Sequence, residues 1–170
     1  MKKVILLFLL LVIVPETHAK KVIDGVERTV VFVGMVGDMF HVGHVNILKR
    51  ARAFGDYLLV GLTKDEDAVR YKRVPILTYE ERKAVVESCR YVDEVVPEPY
   101  QMTREFMDEH GVDWVVHGND MDDIMLRFFY QVAIDMGKLK VLSYTPGIST
   151  SNIIQRILER ADEFRSLKKS

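Results

Sequence analysis

The chain carries, between two apolar segments, the sequence Gly34-Met35-Val36-Gly37-Asp38-Met39-Phe40-His41-Val42-Gly43-His44. Residues 30–33 precede it and are apolar and mostly β-branched, which is typical of a buried strand. Residues 45–51 follow it with the amphipathic spacing of a helix. The pattern therefore predicts a strand, a glycine-containing turn and a helix. In that arrangement, backbone N–H groups and the positive end of a helix dipole face an anion.

The composition is that of one globular domain. The chain has 170 residues, of which 48% are hydrophobic and 29% charged, enough for a single buried core. The formal net charge of −1 argues against a broad nucleic-acid-binding surface, so an anion site has to be local. The single cysteine, Cys89, excludes an intrachain disulfide and a cysteine-rich metal site. Its helical surroundings indicate a buried structural thiol.

The N-terminus is laid out like a secretory signal, with a basic start at 1–3, an apolar run at 4–14 and a small residue, Ala19. The apolar run is shorter than the ~17–25 residues that span a bilayer. We expect residues 1–28 to be a signal-peptide-like or membrane-anchor leader followed by a linker, with possible membrane association through residues 4–14. The alternatives are a buried first strand or an upstream start codon that is not used.

Strand and helix patterns alternate from residue 29 to residue 165, which we expect to form one α/β domain with a short tail at 166–170. Strands are expected at 29–36, 57–62, 94–96, 113–117 and 140–143. Helices are expected at 42–54, 79–89, 104–110, 124–136 and 152–164. This alternation predicts a five-stranded parallel sheet flanked by helices. Ligands of such sheets bind beyond the carboxyl ends of the strands, where the turns at 41–44, 64–77, 117–120 and 145–151 would gather.

Two histidines lie in the first of these turns. His41 and His44 share a face at the start of the predicted helix, so both imidazoles can reach one ligand. Their N–H groups can bind phosphate oxygens, and Gly43 removes a side chain that would block close approach to the backbone. A metal site would need a third ligand, for which His117 and Asp120 are candidates. Two ordinary surface histidines are the remaining alternative.

A second candidate anion site is the sequence Thr145-Pro146-Gly147-Ile148-Ser149-Thr150-Ser151, which opens the last predicted helix with three hydroxyls and free N–H groups. An ordinary helix cap after a Pro-Gly turn would look the same. Lys72 and Arg73 belong to a basic loop that would suit a triphosphate, or would only be solvated. Trp114 and Tyr100 could enclose a cationic group, although Trp114 lies within a strand and is expected in the core.

Together these residues resemble the cytidylyltransferases that activate phospho-alcohols, over residues 29–158. His41-Val42-Gly43-His44 resembles the HxGH motif of that family, and Gly147-Ile148-Ser149-Thr150-Ser151 resembles its GIST motif. Lys72 and Arg82 lie between the two motifs, as in the family. The segments Arg90-Tyr91-Val92-Asp93-Glu94-Val95-Val96-Pro97 and His117-Gly118-Asn119-Asp120 resemble the ethanolamine-type enzymes in particular.

The resemblance implies a Rossmann-like nucleotidylyltransferase fold, a homodimer and a role in phospholipid biosynthesis. It implies a Mg²⁺-dependent transfer of CMP from CTP to a phospho-alcohol with release of pyrophosphate, phosphoethanolamine being favoured over phosphocholine and glycerol 3-phosphate. The implied catalytic residues are His41, His44, Lys72 and Arg82. The implied nucleotide-binding residues are Val36, Asp38, Phe40, Gly43, Gly118, Asp120, Gly147, Ile148, Ser149 and Thr150. No residue is assigned to a protein metal site.

The sequence departs from the family pattern at two positions. Gly37 stands where an aromatic residue is usual before HxGH, so we expect a small bulge in that turn. Tyr144 stands where an arginine usually precedes the threonine of the second anion site, and Arg73 and Arg127 are the candidates to supply the missing positive charge. Two other functions therefore stay open: an adenylyltransferase of the same superfamily and a non-catalytic nucleotide-binding relative. The leader indicates a membrane or the secretory pathway, whereas a CTP-dependent reaction requires cytosolic CTP.

Overall fold

The centre of the structure is a parallel β-sheet, and the computed structural model describes residues 20–167 of the chain. The strands in this range are β1 Lys21–Ile23, β2 Val26–Arg28, β3 Val30–Met35, β4 Tyr57–Leu62, β5 Glu94–Pro97, β6 Val112–Gly118 and β7 Leu139–Leu142. The last five pair in parallel in the spatial order β5-β4-β3-β6-β7. The predicted five-stranded parallel sheet is therefore confirmed.

The connections between the strands are helical. The helices are α1 Val42–Ala51, α2 Asp65–Ala68, α3 Tyr79–Glu87, α4 Arg104–Glu109, α5 Asp123–Asp135, α6 Thr150–Glu159 and α7 Ala161–Leu167. Thr78, Thr103 and Ser149 cap α3, α4 and α6 by accepting hydrogen bonds from backbone N–H groups of the first turn. At α3 the cap is reciprocal, because the Glu81 carboxylate accepts from the Thr78 N–H at 2.8 Å. The helices predicted at 42–54, 79–89, 104–110 and 124–136 are thus confirmed with small shifts at their ends.

The hydrophobic core has two halves, one on each face of the sheet. Val30 and Phe32 of β3 point to one face, where they pack among buried residues of α4 and α5. Val31 and Val33 point to the other face, where α1 and α3 cover them. This alternation along one strand is the two-residue period of a strand buried on both sides.

Residues 20–28, expected as a linker, contain the antiparallel hairpin of β1 and β2. Asp24 and Gly25 form its turn with φ values of 51° and 75°, the left-handed conformation that two-residue hairpin turns require. Lys20 pairs with Asp113 and Lys21 with Glu94, both at the amino ends of sheet strands. The strands of three residues are too short for an alternating pattern, which is why sequence reasoning missed them.

The helix expected at 152–164 is divided into α6 and α7. Arg160 leaves the helical conformation with φ −108° and ψ 17°, and its guanidinium pairs with Glu163 in the next turn. The segment contains neither glycine nor proline, so no residue in it predicts this break.

The predicted leader, its possible membrane association through residues 4–14 and most of the predicted 166–170 tail lie outside the described residues. Between residues 20 and 167, no helix has both the length and the apolar character needed to cross a bilayer.

Candidate active site

A cavity of about 500 Å³ lies at the carboxyl ends of the central strands. The chain runs from β3 outward to β4 and β5, then returns to place β6 and β7 on the other side of β3. The strand order therefore reverses between β3 and β6, and a crevice forms where the connections leave in opposite directions. The cavity opens at this point, between the turn after β3, the turn after β6 and the start of α6.

Most of the residues predicted for the site line this cavity. They are Val36, Asp38, His41, Gly43, His44, Lys72, Gly118, Asp120, Ser149 and Thr150. Arg73, Tyr144 and Ser151, also considered from the sequence, line it as well. Four predicted residues do not: Phe40, Arg82, Gly147 and Ile148. The structure thus brings the two predicted anion-binding turns to opposite sides of one cavity.

The two histidines have their ring orientation set by the backbone. Nδ1 of His41 accepts a hydrogen bond from the Gly43 N–H at 3.1 Å, and Nδ1 of His44 accepts from the His41 N–H at 3.2 Å. Because each Nδ1 acts as an acceptor, the proton of each neutral imidazole is on Nε2. The ring centroids lie 4.0 Å apart with the planes tilted by 33°, so two Nε2–H donors lie close together on the cavity wall.

Both imidazoles are kept neutral. Burial lowers the pKa of His41, and it lowers the pKa of His44 to about 3, with added repulsion from His41 and Lys72 that outweighs the attraction of Asp38. Burial likewise lowers the pKa of His117, which lies across the cavity. A neutral imidazole still has one N–H that can donate a hydrogen bond. Because both pKa values are lowered, His41 and His44 offer these Nε2–H donors to an anion throughout the pH range near neutrality.

Asp38 fastens the basic loop to the turn after β3. Its carboxylate accepts from the Ile76 and Leu77 N–H groups at 3.0 to 3.1 Å and from the Arg73 guanidinium at 2.9 Å. Burial opposes ionisation of this carboxyl group, but these hydrogen bonds outweigh it and lower its pKa. Asp38 is 3% exposed, and the hydrogen bonds of its carboxylate go to this loop. The loop is thereby held where Lys72 reaches the cavity.

The start of α6 closes the opposite side of the cavity. The Thr150 hydroxyl donates to the Asp38 carbonyl at 2.9 Å, which joins the last helix to the first turn. The Tyr144 hydroxyl donates to the Ile148 carbonyl at 3.0 Å and braces the turn that contains Gly147, whose φ is 79°. Tyr144 thus supports the turn from inside the cavity wall. Arg127 is exposed and does not line the cavity, whereas Arg73 lines it while paired with Asp38.

Arg82 is placed differently from the expectation of a catalytic residue, because it is fully buried at 0% exposure. Its guanidinium donates to the carbonyl groups of Val36 and Leu77 and pairs with Asp65. These bonds use one N–H of each guanidinium nitrogen, and Arg82 does not line the cavity. Arg82 thus joins the turn after β3 to the end of the basic loop.

Two of the other predicted residues that do not line the cavity, Phe40 and Ile148, pack against residues that do. Phe40 stacks on the His44 ring with centroids 5.3 Å apart. Ile148 packs beside Gly43. A Cβ at position 43 would lie 3.4 Å from a methyl group of Ile148 and 2.9 Å from the His41 ring. A side chain at this position would therefore clash with His41, in addition to hindering the approach of a ligand to the backbone.

The turn at Gly37 explains one departure from the family pattern. Gly37 has φ +68° and Met39 has φ +48°, so the chain adopts the left-handed conformation twice around Asp38. A Cβ at position 37 would lie 3.0 Å from a methyl group of Leu62. The expected irregularity of this turn is thus present as two left-handed residues, and its Asp38 side chain is still buried and bonded.

Sequence reasoning missed the far end of the cavity. Glu98 lies on its floor, accepting from the Thr63 hydroxyl at 2.6 Å and the Tyr130 hydroxyl at 3.1 Å. Burial raises the pKa of Glu98 to about 7. Tyr71, Tyr100 and Phe129 line the same region. The signal available was position: Glu98 directly follows a strand, at the sheet edge where ligands bind.

Of the two aromatic residues considered for a cationic group, only Tyr100 lines the cavity. The Arg70 guanidinium already stacks on the Tyr100 ring, with its Cζ 4.0 Å from the ring centroid. Trp114 packs against the core and carries Lys140 over its ring, also at 4.0 Å. The expectation that Trp114 belongs to the core is therefore confirmed, and the two aromatic residues do not enclose one site.

The carboxylates on the cavity wall are Asp38, Glu98 and Asp120. Asp38 is saturated by the loop, and Glu98 lies at the far end. Within the part of the chain that the structure describes, no group of three or more His, Cys, Asp or Glu could hold a metal ion. Mg²⁺ bound with phosphates needs only one or two protein carboxylates, and Asp120 fits that requirement.

The chain matches a family model described as cytidylyltransferase-like over residues 33–156. Among curated proteins, it is 42% identical over 123 residues to an ethanolamine-phosphate cytidylyltransferase of Mus musculus, covering 71% of this chain and 30% of that protein. It is 34% identical over 148 residues to choline-phosphate cytidylyltransferase 2 of Arabidopsis thaliana, covering 79% and 46%. The chain therefore spans less than half of the length of these relatives.

Among solved structures, the fold is similar to that of the lipopolysaccharide core biosynthesis protein from Thermoplasma volcanium. The TM-score is 0.57 at 23% identity, covering 69% of this chain and 97% of that one. This likeness concerns the fold alone. The family model spans both of the predicted anion-binding turns and all the sheet strands from the middle of β3 onward. The chain therefore belongs to the cytidylyltransferase-like family.

Proposed function

We propose that this chain transfers CMP from CTP to a phospho-alcohol, with phosphoethanolamine as the favoured acceptor, and releases pyrophosphate. The observation that carries the proposal is the pair of neutral Nε2–H donors of His41 and His44, which face the start of α6 across one cavity. Two opposed sets of donors suit a triphosphate, because each helix start favours negative charge.

In the proposed reaction, a phosphate oxygen of the acceptor attacks the α-phosphorus of CTP in line. The bond to the pyrophosphate oxygen breaks, and pyrophosphate leaves with the electron pair. His41 and His44 hydrogen-bond the phosphate oxygens on which charge develops, and Lys72 neutralises charge on the chain of phosphates. Phosphoryl-type transfer relies mainly on positioning and electrostatic stabilisation, which these rigid donors supply.

The nucleotide would lie between the two turns. Ser149, Thr150 and the backbone near Gly147 would hold it from the α6 side, and Gly118 and Asp120 would face it from the end of β6. Mg²⁺ is proposed to accompany CTP, with Asp120 as its protein ligand, and would supply charge neutralisation on the triphosphate. Arg82 keeps the turn after β3 in place beneath the histidines.

Phosphoethanolamine is proposed ahead of phosphocholine and glycerol 3-phosphate. Several curated relatives in distant organisms, among them Mus musculus, Arabidopsis thaliana and Dictyostelium discoideum, carry the name ethanolamine-phosphate cytidylyltransferase. That choice would place the product in phospholipid biosynthesis. The homodimer implied by the family resemblance stays a prediction. Its test is the molar mass of the protein, measured by light scattering as it elutes from a size-exclusion column.

The proposal is tested by incubating the purified chain with CTP, Mg²⁺ and each acceptor in turn while measuring pyrophosphate. Release with phosphoethanolamine is expected, and His44→Ala should lower kcat by about 100- to 1,000-fold, the typical loss of one transition-state donor. His110→Ala is the matched control, because His110 ends α4 away from the cavity. No release with any acceptor would contradict the proposal.

Two alternatives predict different outcomes of the same assay. An adenylyltransferase would use ATP better than CTP. A non-catalytic nucleotide-binding relative would bind CTP by calorimetry without turnover, and His44→Ala would then change only the affinity.

A further inference from the structure

Glu98 occupies an unusual position at the far end of the cavity, on top of the sheet. It directly follows β5, and its carboxylate reaches across β4 toward β3. Gly34 of β3 and Gly61 of β4 are paired in register beneath it. A Cβ on Gly34 would lie 1.8 Å from Glu98 Oε1, and a Cβ on Gly61 would lie 3.2 Å from Glu98 Cβ. The two missing side chains are what allows the carboxylate to lie on the cavity floor.

The hydrogen bonds of this carboxylate are incomplete. Oε2 accepts from Thr63 and Oε1 from Tyr130, which are 4% and 5% exposed. An ionised carboxylate has about four acceptor positions, so about two remain for a ligand. Both protein donors are neutral hydroxyls, and within residues 20–167 Glu98 forms no salt bridge. A largely enclosed carboxylate without a paired cation is costly, and a cationic ligand would remove that cost.

The charges around Glu98 are consistent with an enclosed carboxylate that has no paired cation among the described residues. Burial raises the pKa of Glu98 to about 7, although the Thr63 and Tyr130 hydrogen bonds and the positive charge of Lys72 lower it, and Asp67 adds to the rise. The groups facing Glu98 are thus Thr63, directly after β4, Tyr130 from α5, Asp67 from α2 and Lys72 from the basic loop. None of them compensates the carboxylate fully.

We propose that Glu98 receives the primary ammonium group of the acceptor and is the specificity-determining residue for that head group. The inference rests on the proposed function, since it assigns one end of the same cavity to the acceptor. A primary ammonium has three N–H donors for the free acceptor positions of Glu98.

The aromatic residues nearby favour a primary over a quaternary ammonium. A trimethylammonium group has no N–H and depends on free aromatic faces. Here the Tyr100 face is taken by Arg70 at 4.0 Å, and Tyr71 packs against Phe129 with centroids 5.0 Å apart. The cavity floor thus offers a hydrogen-bonding carboxylate rather than an aromatic enclosure.

The test compares wild type with Glu98→Gln, which keeps the shape and removes the charge. Calorimetry in the presence of CMP, which cannot react, measures binding of phosphoethanolamine, phosphocholine and glycerol 3-phosphate. Glu98→Gln is expected to weaken phosphoethanolamine about 10- to 100-fold, as loss of a charge-assisted hydrogen bond does, and to leave glycerol 3-phosphate within about threefold. Glu109→Gln, an exposed carboxylate at the end of α4, is the matched control.

A pH series gives a second readout. Wild-type affinity for phosphoethanolamine relative to glycerol 3-phosphate should rise between pH 6 and 8, as Glu98 ionises about its pKa of about 7. The ratio cancels ionisation of the two phosphate groups, and Glu98→Gln should abolish the rise. Urea unfolding followed by the fluorescence of Trp114 verifies that the variant is folded; if it is not, Glu98→Ala is used in the same comparison.

The outcomes separate the two proposals. Binding of phosphoethanolamine that depends on Glu98, without pyrophosphate release from CTP, would refute the proposed function and support the role of Glu98. Turnover with phosphoethanolamine that Glu98→Gln leaves unchanged, or lowers equally for all three acceptors, would overturn the role of Glu98. Wild type that does not bind phosphoethanolamine, or prefers phosphocholine, would overturn it too.

Discussion

Replacing Arg82 by methionine tests whether this residue positions the site or acts on the substrate. Methionine keeps much of the buried stem but removes the guanidinium. The carbonyl groups of Val36 and Leu77 then lose their donor, and Asp65 loses its cation. Because Val36 belongs to the turn that carries the histidines, we expect this change to disturb the site through the backbone.

The size of the effect follows from how buried each partner is. An enclosed carbonyl group left without a donor costs about 1–3 kcal/mol, so the two carbonyls together cost roughly 2–6 kcal/mol. The Asp65 side chain is 45% exposed, so its ion pair adds less than about 1 kcal/mol. We expect Arg82→Met to lower the free energy of unfolding by about 4 kcal/mol, a large part of the 5–15 kcal/mol typical of a domain.

The assay is urea unfolding followed by fluorescence of Trp114, the single tryptophan of the chain. Arg82→Lys should recover part of the loss, since an ammonium can reach one carbonyl but cannot reproduce the planar fork. Asp65→Asn removes only the exposed partner and should cost less than about 1 kcal/mol. An Arg82→Met protein as stable as wild type but without turnover would refute the positioning role, because the guanidinium would then act on the substrate.

Three further predictions follow from the first turn. Gly37→Tyr should cost about 1–2 kcal/mol in urea unfolding, since φ +68° is strained for a side chain and Leu62 lies 3.0 Å from the new Cβ; an unchanged midpoint would contradict this. Asp38→Asn should release the loop at residues 73–77 and increase its rate of tryptic cleavage; equal rates would show that the loop is held elsewhere. The pKa of His44 falls from 6.5 to about 3 on folding, so the folded state binds fewer protons. This protonation difference adds stability that is fully present above pH 6.5 and is lost as the pH falls to about 3, up to roughly 5 kcal/mol. A His44→Gln protein whose free energy of unfolding changes with pH in parallel with wild type would refute it.

The sheet and most helices were predictable because several local signals agreed. β4 is expected and observed at residues 57–62, since it is apolar throughout and buried on both faces. The cap of α3 was predictable as well, because Thr78 and Glu81 have the spacing of a capping box. That the turns at 41–44 and 145–151 meet at one cavity was predictable because parallel strands bring their carboxyl ends to one edge.

The details that failed depend on partners distant in the chain. The sequence predicts Arg82 as a charged residue of the active site. Its full burial depends on the carbonyl groups of Val36 and Leu77, which only the folded structure brings to the guanidinium. Glu98 follows a strand between two prolines, and nothing local shows that its hydrogen-bond donors come from the residue after β4 and from α5. The Lys140 ammonium lies over the Trp114 ring because β6 and β7 are paired, and no sequence motif indicates that pairing.

The glycine beneath Glu98 ties two positions of the chain to each other. Any side chain at position 34 would begin 1.8 Å from the carboxylate at position 98, so the two cannot both carry bulk. The same Cβ would also lie 2.6 Å from the Tyr130 hydroxyl, so a smaller side chain at position 98 removes only one of two clashes. We expect Gly34→Ala to be damaging beside glutamate and to be relieved only in part by alanine at position 98. The cavity floor therefore depends on three positions at once: 34, 98 and 130.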